Sequence, residues 1–167
     1  RLAASYSEGI TLQSRLDSLD LGIIDAFVPG LGVNGRASGS LDFAQASSTA
    51  FPRADARLKI SNFSRTTAAS VSQPIDINFV GKLLADGGEA RAVMRRRGTV
   101  IGRMVASLNP LPPGAGPWTE RLLSAPLGGG IRYNGPADTL FSFAGQPDQR
   151  LSGPIGVAAD FSGRVQQ

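Results

Sequence analysis

The chain has no cysteine and no histidine, and only one tryptophan and two methionines in 167 residues. Those absences exclude zinc fingers, thiol nucleophiles, Ser-His-Asp triads, haem ligation through His or Cys, and disulfide frameworks. Carboxylate chemistry is the main route left to an enzyme, and it needs a paired, partly buried site. Asp17, Asp20 and Asp25 are close in sequence, as are Asp86 and Glu89, but each falls at a turn or on a polar face. Gly-x-Ser-x-Gly, Ser-x-x-Lys, a phosphate-binding loop and calcium-loop acid spacing are all missing. We expect no catalytic activity, no cofactor and no metal. Charged residues are only 18% of the chain, too few for a solvated, disordered tail. Aromatics, at 7%, are too sparse beside the basic residues to serve as stacking platforms, which argues against nucleic acid. No run approaches the roughly 18 apolar residues that span a bilayer, since Asp25 and Pro29 interrupt the best candidate. The chain begins at Arg1 with no basic-then-apolar leader, and residues 1–167 read as one segment from the interior of a longer protein.

Glycine is abundant, at 21 residues, and with 11 prolines it favours turns and bends over long helices. The dominant signal is alternation with a period of two. Ile10, Leu12 and Leu16 oppose Thr11, Gln13 and Arg15; Ala37, Leu41 and Phe43 oppose Arg36, Ser38 and Asp42. Ala54, Ala56, Leu58 and Ile60 oppose Asp55, Arg57 and Lys59; Ile75, Ile77, Phe79 and Leu83 oppose Asp76, Asn78 and Lys82. Ala90, Ala92 and Met94 oppose Glu89, Arg91 and Arg95; Val100, Met104, Ala106 and Leu108 oppose Thr99, Arg103 and Ser107. Ile155, Val157, Ala159 and Phe161 close the series. Successive side chains of a strand point to opposite faces, so each segment has one apolar and one wet side. Asp86-Gly87-Gly88, Arg97-Gly98 and Asn134-Gly135-Pro136 supply turn chemistry between runs. An antiparallel meander of about nine or ten strands follows.

Two interruptions read as helical: Asp20 to Phe27, capped by Asp20 and stopped before Pro29, and Pro117 to Leu123, with Trp118, Leu122 and Leu123 on one side. Residues 109–117, rich in Pro and Gly, form a loop and a soft internal boundary. Gly35 to Phe43 resembles Gly153 to Phe161, both Gly-spaced strands ending in Asp-Phe. Gly30-Leu31-Gly32-Val33-Asn34-Gly35 matches the dinucleotide fingerprint in letters only, because Pro29 precedes it and no helix follows to hold a pyrophosphate.

The net charge of +4 is local. Residues 61–110 carry seven basic and three acidic groups, which is the whole excess. Arg91, Arg95, Arg96, Arg97 and Arg103 define a basic patch, suited to phosphate headgroups or an acidic partner, or serving as a solvated edge that discourages strand pairing. The aligned apolar faces must bury themselves by closing as a barrel or sandwich, or else form a trough open to apolar cargo.

Leu16-Asp17-Ser18-Leu19-Asp20-Leu21-Gly22-Ile23-Ile24, Pro29-Gly30-Leu31 and Val33 to Gly39 resemble the large periplasmic translocation and assembly proteins of the TamB (AsmA-like) family. Leu122 to Ala137 and Leu151-Ser152-Gly153-Pro154-Ile155 continue the likeness in the expected order. The resemblance implies an internal β segment of an inner-membrane-anchored protein of the Gram-negative periplasm. Its fold would be all-β, an elongated, curved antiparallel sheet folded into a groove (a β-taco) with an apolar interior and one or two short helices. The family's proposed tasks are carrying phospholipid or other apolar cargo between the membranes and supporting outer-membrane protein and autotransporter assembly. Its implied partner is an outer-membrane Omp85-type barrel. On this basis Leu12, Leu41, Phe43, Leu58, Ile60, Ile75, Ile77, Phe79, Leu83, Met94, Val100, Met104 and Phe161 are expected to line the groove, with Trp118, Leu122 and Leu123 as a plug or cap helix. The alternatives are a β-strand chaperone that binds unfolded outer-membrane proteins at an edge, and a structural β-solenoid or stalk with a closed core.

Overall fold

The structure, a computed structural model, describes residues 2–6, 9–26, 29–67, 71–144 and 152–166. Nine strands form one open antiparallel sheet in sequence order: β1 (Leu2–Tyr6), β2 (Ile10–Asp20), β3 (Val33–Gln45), β4 (Arg53–Arg65), β5 (Ile75–Leu84), β6 (Gly87–Arg96), β7 (Thr99–Leu108), β8 (Pro126–Pro136) and β9 (Pro154–Arg164). The sheet runs unbroken through the expected soft boundary at 109–117, since β7 pairs with β8. Two α-helices interrupt the meander, α1 (Trp118–Leu123) before β8 and α2 (Ala137–Ala144) after it.

Connections alternate between the two ends of the strands. The β6–β7 hairpin has φ of 50° at Arg97 and 82° at Gly98, so its two-residue turn uses the left-handed pair that matches strand twist. Asp20 caps the expected first helix, which is a 3-10 turn over Leu21–Ala26: its carboxylate accepts the Gly22 N–H at 2.9 Å. Phe27, at the end of that expected helix, and Leu151 of the third resemblance motif lie outside the described residues.

Two expectations need correction. Asn134-Gly135-Pro136 is not a turn but the last part of β8, paired with Gly156, Ile155 and Pro154. Gly135 is needed there for close approach, because a Cβ would stand 3.0 Å from both Ile101 and the Tyr133 hydroxyl. The second correction is at Val100. The β6–β7 register shifts between Met94 and Arg95, so β7 carries an extra residue. Val100 is thereby set opposite Arg95 on the wet face, 36% exposed, and Ile101 takes the inward place at 4%.

Two more irregularities fall toward the same end of the sheet: β2 carries an extra residue between Leu16 and Leu19, and β4 carries one around Asn62 that shifts its register against both β3 and β5. Ser18 and Asn62 take positive φ, and side chains of the next strand satisfy their displaced N–H groups. Ser18 N–H donates to Ser38 Oγ and Asn62 N–H to Asp76 Oδ1, each at 3.0 Å. Bulges bend a strand and raise its local twist. The bent end holds the compact core: Ile75, Ile101 and Tyr133 are buried together, with Phe63, Ile77, Met94, Leu140, Phe143 and Ile155 packed against them.

Candidate functional site

Antiparallel partners share a face, so the register traces ribs of side chains across the inner surface. One rib runs Leu12, Phe43, Ala54, Leu83, Gly88, Leu108 and Leu127. The next runs Ser14, Leu41, Ala56, Gly81, Ala90, Ala106, Gly129 and Phe161. A third runs Leu16, Gly39, Leu58, Phe79, Ala92, Met104, Ile131 and Ala159, and a fourth Leu19, Ala37, Ile60, Ile77, Met94, Gly102, Tyr133 and Val157. All the expected groove residues except Val100 therefore share one face.

They do not share one environment. Ile75, Ile77 and Met94 belong to the closed core under α2, whereas the middle ribs lie outside it. Leu12, Phe43, Leu58, Ile60, Phe79, Leu83 and Met104 are half-buried, and Leu41, Ile131 and Phe161 are exposed at 38%, 38% and 36%. Small residues on these ribs let large ones lie flat. The Phe161 ring covers Gly129, the Phe79 ring folds over Gly81, and the Met94 terminus lies over Gly102. The face is apolar, with Leu, Phe and Met set among Gly and Ala.

Each end of this face is stitched across strands by an inserted segment. At the first end the Trp118 indole N–H donates to Ser48 O at 3.1 Å, in the β3–β4 connection. Arg121 is buried, donates to Leu111 O and Ala85 O, and sets its guanidinium 4.9 Å from the centre of the Phe51 ring. The expected cap helix thus sits at one end of the face, with Leu122 half-buried and Leu123 40% exposed. At the opposite end α2, which the alternation did not reveal, stacks Phe143 on Phe63, and Ser142 Oγ accepts the Gln73 N–H. Tyr133 donates to Pro136 O at 2.7 Å beneath it, and burial pushes its phenol pKa up.

The expected basic patch is divided. Arg96 points to the inner side and is committed to α2, bonding Asp138, Thr139 and Gln73. Arg97 is at the tip of the β6–β7 hairpin. Arg91, Arg95 and Arg103 lie on the outer face, joined there by Arg132, which the sequence reading did not single out. Arg132 pairs with Asp160 at 2.7 Å; the hydrogen bond first, and then the opposite charge, lower the Asp160 pKa and raise that of Arg132. A concavity of about 570 Å³ opens on this outer face, beside Val100, Arg103 and Arg132.

Compared with protein-family models, curated proteins and solved structures, the chain matches none. No helix among the described residues is long and apolar enough to cross a membrane.

Proposed function

We propose that this chain is a periplasmic groove segment of a TamB-like translocation and assembly protein, and that its inner face carries phospholipid or another apolar cargo. The observation that carries this reading is the half-exposed middle of the apolar face, lying between two ends stitched by α1 and α2. Burying a methylene stabilises by about 0.8 kcal/mol, so ribs of Leu, Phe, Met and Ala hold acyl chains without directional contacts. Half-exposed, repeated contacts suit passage along the face better than a single tight pocket. In this reading the protein is no enzyme, its parent is anchored in the inner membrane, and the parent works with an Omp85-type outer-membrane barrel.

Photo-crosslinkers at Leu58 and Phe79 should capture lipid, whereas one at Arg57, on the outer face, should not. Phe79→Asp should abolish capture while the circular-dichroism spectrum stays that of a sheet. Equal capture from positions 57 and 79 would refute the reading.

A second reading rests on β9. Its eleven residues pair with β8 on one side only, which leaves an edge able to hold an unfolded outer-membrane strand. Val157→Pro should then abolish strand binding and leave lipid capture intact. A stalk with a sealed core is favoured less, because β1 and β9 stand at opposite edges of an open sheet.

A further inference from the structure

We propose that the outer face carries an oxyanion site over β7, β8 and β9, in which Arg103 and Arg132 take a phosphate group. This site lies on the side of the sheet away from the apolar ribs and does not depend on the cargo reading.

Arg103 and Arg132 are directly opposite on neighbouring strands, a placement in which like charges repel. Arg91 and Arg95 stand diagonally beside Arg103 on β6, whose partner at that position is Val93. Each of the other three arginines has an acid at hand. Arg91 approaches Glu89 at 3.8 Å, Arg132 holds Asp160, and Arg95 faces Asp76 across β5 and β6. Arg103 has no hydrogen bond or ion pair among the described residues. It is therefore the uncompensated centre of a four-arginine group, beside a concavity of about 570 Å³.

The floor of that concavity is kept low by Gly156 and Ala158, and a Cβ added at Gly156 would meet nothing within 4 Å. Asn134 adds an amide at the border, and Val100, displaced outward by the β7 bulge, adds an apolar wall. Two guanidinium groups and an amide offer several N–H donors to the free oxygens of a phosphate, three in a monoester and two in the singly charged diester of a lipid headgroup. A bound phosphate would also remove the repulsion between the facing arginines. The phosphate could belong to a lipid headgroup or to a free ester, and the outer valine leaves room for the alkyl part of either.

The test titrates the whole chain with methyl phosphate while following the arginine Nε–H signals by NMR. In parallel it measures flotation with phosphatidylglycerol vesicles and with phosphatidylcholine vesicles. A saturable shift of Arg103 is expected, weakened at least about tenfold in Arg103→Gln, the loss of a charge-assisted pair of hydrogen bonds. Asp160→Asn should tighten binding severalfold by releasing Arg132 and removing a facing carboxylate. Arg36→Gln, the same change of charge on β3, should leave it unaltered. Flotation with the anionic vesicles alone, lost in Arg103→Gln, assigns the phosphate to a lipid headgroup; methyl phosphate binding without flotation assigns it to a free ester. Either result supports the site. It is overturned if neither probe binds saturably, if an acidic peptide binds where both phosphates fail, or if Arg36→Gln weakens binding as much as Arg103→Gln.

Discussion

Phe143 of α2 lies flat against Phe63 of β4, with ring centroids 5.9 Å apart and planes 6° from parallel. The two residues are separated by four strands of the meander, so this stack carries α2 back over the bent end of the sheet. Arg65 reinforces it by donating to Phe143 O at 3.3 Å. Phe143→Ala should cost about 2 kcal/mol in urea unfolding, below the value for a fully buried ring because Phe143 is only half covered. Paired with Phe63→Ala, the double-mutant cycle should return about 1 kcal/mol of coupling. Strict additivity would mean that the stack does not hold the helix.

Arg121 does at the other end what Phe143 does here, by polar means. Its side chain ties α1 to the β5–β6 turn through Ala85 O and to residues 109–117 through Leu111 O, with Phe51 of the β3–β4 connection beneath it. Arg121→Met keeps much of the apolar stem and leaves both carbonyls without that donor. It should cost about 2–3 kcal/mol, and Arg121→Lys should recover less than half, since one ammonium cannot reproduce the planar fork. Thermal unfolding checks both.

Two glycines of the β8–β9 ladder should behave oppositely. A Cβ on Gly129 would collide with backbone of β7, at Val105 O and Ala106 Cα, and with the Phe161 ring. One on Gly156 would meet open space. Gly129→Ala should lower stability by about 2 kcal/mol or more, because strands rather than a flexible side chain must move. Gly156→Ala should be neutral or slightly stabilising in the same unfolding assay.

How far the sequence carried the fold is clearest at Val100 and Ile101. Alternation by two located β2 to β7 and β9, though not β1 or β8, and put Leu41, Phe43, Leu58, Phe79 and Met104 on one face, where they stand. It failed at Val100 because a bulge inserts one residue without any mark in composition, and the parity of the strand inverts there. Nor did alternation reveal α2, whose eight residues are too few to show a helical period and follow a deceptive Asn-Gly-Pro. The division of the inner face into a closed core and an open middle depends on where α2 folds back, which no local pattern records. Ile101→Ala should therefore cost about 3 kcal/mol and Val100→Ala less than about 0.5. A strict two-residue period would require the reverse, and equilibrium unfolding of the two variants decides it.

Acid and alkaline limits of stability should come from two different strand positions. Arg132 holds the Asp160 pKa below the usual carboxylate range. A lowered folded value adds stability above the unfolded value, about 3.9, and that addition is lost as pH falls through the folded one. Both groups are exposed, so the contribution is small and fades with salt. Tyr133 is the opposite case, since burial raises its phenol pKa. Its stabilising contribution is complete below the unfolded value, about 10, and is lost as pH rises through the raised one. Asp160→Asn should flatten the fall of the unfolding temperature below about pH 4 at low salt, and 0.5 M sodium chloride should reduce the difference from wild type, since at roughly that strength the Debye length is only a few ångströms. Tyr133→Phe loses the bond to Pro136 O and is less stable at neutral pH. Its curve should nevertheless fall less steeply above about pH 10, because no phenol remains to ionise in the unfolded chain. Parallel alkaline limbs for wild type and Tyr133→Phe would show that the buried phenol does not set that limit.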